Sequence, residues 1–111
     1  MDINLNGVRM KNAKADPKGV CSSETILEFK QDHNLISASY RGGPVLDGYL
    51  IGVLNGSQVM FRYVQADVNG NVDAGVSDGA FTRLPNRKLQ LIEHFLLYTR
   101  PDSGTNIFVE L

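Results

Sequence analysis

The residues of this chain that could carry chemistry are polar side chains that alternate with apolar ones. Glu93 lies two positions from Phe95, and Tyr63 lies two positions from both Phe61 and Gln65. Side chains in a strand alternate between its two faces, so each of these polar groups would share a face with an aromatic ring. A polar group on a buried face must be hydrogen-bonded or paired, and a carboxylate can also take up a proton.

The same spacing adds two residues, because Tyr40 shares a predicted face with Ala38 and Thr25 shares one with Leu27. One interpretation of this set is a structural network that fixes strand register. Another is a ligand pocket, since pockets usually combine apolar walls with a few polar groups. Acid–base catalysis by Glu93 would need a second acid or base, which no spacing supplies. The candidate ligand-binding interior is Thr25, Tyr40, Phe61, Tyr63, Gln65, Glu93 and Phe95.

No catalytic, metal or cofactor site is predicted from the remaining reactive residues. His33 lies in a predicted turn, and His94 follows Glu93 directly and so points to the opposite face, whereas metal ligands must converge. Cys21 is the only cysteine and is interpreted as a small residue in a strand or at its start. Ser22 lies in no nucleophile-elbow motif.

Regular turn signals divide the chain into short segments that would position these residues. Asn-Gly pairs at 55–56 and 69–70 are the strongest, because this dipeptide favours a type I′ hairpin turn. The seven signals cover residues 16–19, 32–34, 42–44, 55–57, 69–71, 84–87 and 101–104. The intervening segments predict strands over residues 7–15, 20–31, 35–41, 45–54, 58–67, 71–84, 88–98 and 105–111.

These segments predict an all-β fold of about eight strands. Short connections require antiparallel neighbours, and closure of the sheet removes its exposed edges. We therefore expect an antiparallel up-and-down meander that closes into a small lipocalin-like barrel, with residues 1–111 as one domain. The interior of such a barrel is either filled by side chains or holds one small ligand.

Two of the predicted strand segments have features that complicate their assignment. Residues 88–98 fit a strand with alternating Leu91 and Phe95, or a helix with Ile92 and Leu96 on one stripe. The strand is favoured because its flanking turns are spaced like the others. Glycines in the segment 71–84 indicate a bulged or broken strand.

Two more residues are expected on inner faces. Leu46 should share the inner face of its strand with Gly48, Leu50 and Gly52, where glycine indicates a bend, a bulge or close backbone approach. Ala13 is placed inward in the first strand.

Composition and charge narrow the possible partners. The net charge is −1, with 11 basic and 12 acidic residues, and no basic stripe points to nucleic acid. Without a signal-peptide pattern or an apolar run of about 18 residues, we expect a soluble, cytoplasmic protein that does not contact a membrane.

The segment 88–98 also suggests a protein partner. Leu96 and Phe95 would both be apolar although they lie on opposite faces of the strand, so the outer face needs a second covering surface, which favours a homodimer.

Four motifs follow one another along nearly the whole chain: Ser22-Ser23-Glu24-Thr25, Tyr40-Arg41-Gly42-Gly43, Gly48-Tyr49-Leu50-Ile51-Gly52, and Phe61-Arg62-Tyr63 with Gln65. In these motifs the chain resembles a family of small bacterial β-barrel proteins, some of which carry the label N-acetylglutamate synthase. Members of that family have aromatic residues, often Trp, where this chain has Phe95 and Leu97. Acetyl-CoA-dependent synthases of the labelled type use a mixed α/β fold with a phosphate-cradling loop at a helix N-terminus. This chain has no matching glycine-rich loop.

The function favoured by the sequence is a binding module for a small, partly apolar ligand. A structural or interaction protein that forms a homodimer is the alternative. An enzyme of the labelled type is the third interpretation.

Overall fold

Eight antiparallel strands close into a barrel in the computed structural model, which describes residues 3–111. Each strand pairs with the next, and the last pairs with the first. The predicted all-β meander is confirmed. No helix in the described residues is long and apolar enough to cross a membrane. The strands are β1 (Arg9–Lys14), β2 (Ile26–Asp32), β3 (Leu35–Gly42), β4 (Val45–Asn55), β5 (Gln58–Asp67), β6 (Val72–Arg83), β7 (Leu89–Leu97) and β8 (Ser103–Glu110).

Alternation of buried and exposed side chains builds the barrel wall. In β5, Val59, Phe61, Tyr63 and Gln65 are buried while the residues between them are exposed. In β7, alternate residues from Leu89 to Leu97 point inward. The strand prediction for this segment is therefore confirmed over the helical alternative.

Contrary to expectation, β6 is neither bulged nor broken. It pairs with β5 and with β7 without a register shift. Its glycines allow close approach instead: a Cβ added at Gly75 would lie 2.6 Å from the Tyr63 hydroxyl oxygen, and one added at Gly79 would lie 3.3 Å from Glu93 Cα. The glycines in this segment therefore do not mark a bulge or a break. They are required because neighbouring strands crowd the inner face.

Two predicted inward placements are wrong. A shift between Val45 and Asp47 in β4 turns Leu46 outward, where it is 59% exposed, and buries Val45. A bulge of this kind adds one residue to a strand and so changes which residues face inward. Ala13 is exposed for a different reason: it is out of phase with the buried Met10, and the alternation of β1 buries Asn12 instead.

The two barrel ends are closed differently. The predicted strand over 20–31 begins only at Ile26, because residues 15–25 form a long connection across one end. We call residues 15–25 the cover segment. At the opposite end the chain before β1 inserts Ile3 and Leu5 into the core. This insertion is held by hydrogen bonds from Leu5 N to Gln31 Oε1 at 2.9 Å and from Gly7 N to Phe29 O at 3.1 Å.

Leu5, which lies outside the strands, is expected to contribute more to stability than Leu46 of β4, because Leu5 is fully buried while Leu46 is exposed. Leu5→Ala should lower the free energy of unfolding by about 2–5 kcal/mol through lost burial and a residual cavity. Leu46→Ala, the matched control, should change it by less than about 0.5 kcal/mol. Urea unfolding followed by circular dichroism measures both, and equal losses would contradict the insertion of Leu5 as a core element.

Candidate functional site

A cavity lies at the barrel end that the cover segment crosses. Its volume is about 30 Å³, and several strands and residues 19–21 line it. Most of the lining residues are apolar. Cys21 and Asn106 contribute polar atoms in addition to the polar residues that were predicted for the interior. Of the seven residues predicted for the interior, six line this cavity: Tyr40, Phe61, Tyr63, Gln65, Glu93 and Phe95.

Glu93 is the only carboxyl group among the lining residues, and it is 6% exposed. Ser77 Oγ donates to its Oε2 at 2.6 Å, and Asn106 Nδ2 donates to its Oε1 at 3.1 Å. No lysine, arginine or histidine of residues 3–111 forms an ion pair with it. Burial raises the pKa of the Glu93 carboxyl, and the bonds from Ser77 and Asn106 oppose that rise.

The hydrogen-bond partners of Glu93 are not among the seven residues predicted for the interior. Tyr40 instead donates its hydroxyl to Gln65 Oε1 at 2.8 Å, as a separate pair. Sequence reasoning missed Ser77 and Asn106. Alternation was the available signal for both, since they occupy buried positions in β6 and β8.

Glycines opposite the polar groups explain how these bonds form across strands. Gly48 pairs with Tyr40 on one side and with Gln65 on the other, so the two side chains meet over a position that has no side chain. A Cβ there would lie 2.5 Å from Tyr40 Cζ. Gly79 likewise stands opposite Glu93, which lets Ser77 reach the carboxyl diagonally. These glycines make room for polar contacts in a narrow barrel.

The other titratable groups of the cavity are held neutral near pH 7. Burial raises the pKa of the Cys21 thiol to about 12, with a further contribution from the charge of Glu93. Burial also raises the pKa of Tyr40 and of Tyr63, again with contributions from Cys21 and Glu93. A thiol with so high a pKa is a poor nucleophile, because the thiolate is the reactive form.

The cover segment is fixed at both of its ends. At its start, Asp16 N donates to Asn106 Oδ1 at 3.0 Å, and Thr105 N donates to Asp16 Oδ2 at 3.0 Å. Two backbone bonds, from Lys18 and Thr105, lower the pKa of the Asp16 carboxyl. Asn106 therefore links Glu93 in the cavity to the cover segment.

Thr25 holds the other end of the cover segment and does not line the cavity. Its hydroxyl accepts from Ser22 N at 3.0 Å and donates to the Gly42 carbonyl at 3.1 Å. Between the two anchors, Gly19 lies against Phe95, since a Cβ added there would be 3.2 Å from Phe95 Cζ. The predicted burial of Thr25 is thus correct, but its polar group is used to position the cover segment.

The arrangement is suited to non-covalent binding of a small molecule. Its walls are aromatic and aliphatic, its polar groups are few, and no cationic side chain lines it. A volume of about 30 Å³ gives room for roughly two water molecules.

Comparison with protein families matched residues 3–111 to a model described as avidin-like protein. The match spans the whole described barrel, including the cover segment. Comparison with curated proteins gave no match, and comparison with solved structures gave none.

The raised pKa of Glu93 makes stability depend on pH with a defined sign. A carboxyl whose pKa is higher when folded than its ordinary value of 4.5 favours folding fully below that value, and this contribution is lost as pH rises through the folded pKa. Glu93→Gln can keep both hydrogen bonds and cannot ionise. Above about pH 4.5, the stability of the natural protein should therefore fall relative to this variant by up to about 1.4 kcal/mol per pH unit.

Urea unfolding of both proteins between about pH 4 and pH 8 measures this difference. Because only the difference between the two proteins is used, the other titrating groups largely cancel. A difference that stays constant across the range would show that burial does not perturb this carboxyl.

Proposed function

The chain belongs to the avidin-like protein family, and from this premise we propose that its barrel binds a small, partly apolar ligand in the cavity beneath the cover segment. The observation that carries the proposal is the cavity itself, with aromatic walls and a few polar groups at one barrel end. The family includes proteins that bind small ligands such as biotin. For this chain the ligand class follows from the cavity walls, and its identity is left to experiment.

Access to the cavity depends on the cover segment. Its anchors, Asp16 and Thr25, lie to either side of the residues that contact the cavity. The middle of the segment can therefore lift from Phe95 while both anchors stay in place. A ligand of biotin size needs more room than the cavity of about 30 Å³ gives, and lifting of the segment would supply it.

Blocking the cavity should abolish binding. Val20 lines the cavity from the cover segment, whereas Lys18 of the same segment is exposed. Phenethyl alcohol serves as the probe, because it combines one aromatic ring with one neutral polar group. At about 100 times its dissociation constant it should stabilise the natural protein by about 2.7 kcal/mol. Val20→Trp should lose this effect and Lys18→Trp should keep it.

Thermal unfolding with and without the probe, together with biotin as a larger probe, measures the stabilisation. Native mass spectrometry of freshly purified protein adds a search for a retained ligand. If no probe stabilises the protein and no ligand is retained, the binding proposal is wrong. The same holds if Val20→Trp binds as well as the natural protein does.

A second proposal, homodimer formation, is supported by the outer surface of β4 to β7. In-register neighbours on these strands form adjoining rows of exposed or half-exposed apolar side chains. A contiguous apolar surface of this kind marks an interaction site. We call this surface the outer apolar face; its apolar members are Tyr49, Ile51, Val53, Met60, Val64, Ala74, Val76, Leu96 and Tyr98.

Charge supports a second copy of this chain as the partner. Arg62 and Asp78 both lie on the outer apolar face, in adjacent strands. Neither forms an ion pair with another residue of the described chain. A two-fold interface brings the same patch of each copy together. Arg62 of one copy can then pair with Asp78 of the other, while the apolar rows cover each other.

Charge reversal tests the dimer. Arg62→Asp should shift the protein toward monomer, because it places two acidic residues on each apolar face. Adding Asp78→Arg to that variant should restore the dimer by exchanging the charges. Lys30→Glu is the control, because it changes the net charge by the same amount as Arg62→Asp at an exposed position on β2. Light scattering over a concentration series gives the mass, and a natural protein that is monomeric throughout would overturn the proposal.

A further inference from the structure

The cavity contains an acid without a positively charged partner. Glu93 is the one lining residue whose side chain is a carboxyl, and no lysine, arginine or histidine lines the cavity with it. Its two hydrogen-bond donors, Ser77 and Asn106, are neutral. Removing a carboxylate from water is costly unless a cation or several strong donors compensate. The ionised form of Glu93 would therefore be stabilised by a cation brought in by the ligand.

Glu93 can accept further hydrogen bonds from such a ligand. Each carboxyl oxygen accepts one hydrogen bond from the protein, although a carboxylate has about four lone-pair sites in all. An ammonium group carries three donors. Ring faces attract cations as well, and the cavity is lined by the rings of Phe61, Tyr63, Phe95 and Phe108.

The same features disfavour an anionic ligand. A carboxylate or phosphate group in the cavity would lie near Glu93 and would find no cationic side chain in its lining. A neutral alcohol can bind to the apolar walls but gains no ion pair. The order of preference set by the lining is therefore amine first, neutral alcohol second and acid last.

We infer that the ligand of this cavity is a small amine with an apolar body, bound as its ammonium ion to the Glu93 carboxylate. The inference rests on the proposed ligand-binding function and specifies the ligand class. It follows from the burial of Glu93, its lack of a cationic partner and the aromatic rings around it.

Binding of this kind releases a proton wherever the free protein holds Glu93 as the neutral acid. Burial raises the pKa of Glu93, so the neutral form extends to higher pH than it does for an exposed carboxyl. When the ammonium ion binds, the O–H bond of Glu93 breaks, its proton goes to solvent and the ion pair forms. The groups that face Glu93 are Ser77 and Asn106, with Cys21, Tyr40 and Tyr63 nearby; His94 adjoins it on the outer face.

The proton release gives a specific pH dependence. Cys21, Tyr40 and Tyr63 stay protonated near neutral pH, because burial raises the pKa of each. Below the pKa of Glu93 in the free protein, affinity for the amine should rise up to about tenfold per pH unit. Above that pKa it should level off. Affinity for a neutral alcohol should not change with pH over the same range.

Calorimetric titration with three matched probes tests the inference: phenethylamine, phenethyl alcohol and phenylacetate. At about pH 7.5 the natural protein should bind the amine at least about tenfold more tightly than the alcohol, and phenylacetate more weakly than either. In the pH range where amine affinity still rises with pH, the apparent binding heat of the amine should vary with the ionisation enthalpy of the buffer, because a proton is released.

Variants separate the role of the charge from the role of the fold. Glu93→Gln should lose at least about tenfold in affinity for the amine while its affinity for the alcohol stays unchanged. Glu28→Gln removes an exposed carboxyl on β2 and should change neither. If Glu93→Gln does not fold by circular dichroism, Glu93→Asp takes its place, since shortening the side chain displaces the charge and should weaken only amine binding.

The outcomes distinguish the two proposals. Equal affinities for amine and alcohol, or unchanged amine affinity in the Glu93 variant, would overturn the amine inference and leave ligand binding supported by the alcohol. Preferred binding of phenylacetate would do the same. Failure of all three probes to bind would overturn the amine inference together with the binding proposal that it rests on.

Discussion

The pairing of β8 with β1 is the constraint on which the rest of the structure depends. It converts an open meander into a closed wall, so every strand has one face that cannot reach solvent. Burying a polar residue on that face is costly unless it finds a partner inside the barrel. Glu93, Ser77 and Asn106 do so from three adjacent strands. Closure also limits the interior volume, which is why the cavity is small and opens toward a barrel end.

Local patterns predict much of this fold from the sequence. The strand over Gln58–Asp67 was predicted with its observed bounds, because an Asn-Gly turn at each end and strict alternation between them leave little freedom. The inward placement of six cavity residues follows from the same alternation. Ala13 was misplaced because it is out of phase with Met10, and Leu46 was misplaced because a bulge interrupts the period of two. A bulge depends on how neighbouring strands pair, and no local pattern encodes that pairing.

The partners within the site were harder to predict than its members. Asn106 bonds to Asp16, which lies 90 positions away along the chain. Its contact with Glu93 depends on the register of β7 and β8, and the contact of Ser77 depends on a glycine opposite Glu93. Turn spacing predicts how many strands exist, whereas register fixes which side chains meet. For the same reason residues 20–25 of the cover segment were taken as part of a strand, since the anchors of the segment lie in other elements.

The chemistry at position 93 goes beyond what the fold requires. An amide there could accept from Asn106 and donate to Ser77, and so could satisfy the same neighbours without a cost of ionisation. What the carboxyl adds is the capacity to become charged. In this barrel the charge has two neutral donors and no cation of the protein beside it. The glycines at 48, 75 and 79 let neighbouring side chains and backbone approach closely, since a Cβ at each would clash with them. An ionisable group beside a cavity at one barrel end suits a positively charged molecule, which would supply the cation that the cavity lining lacks.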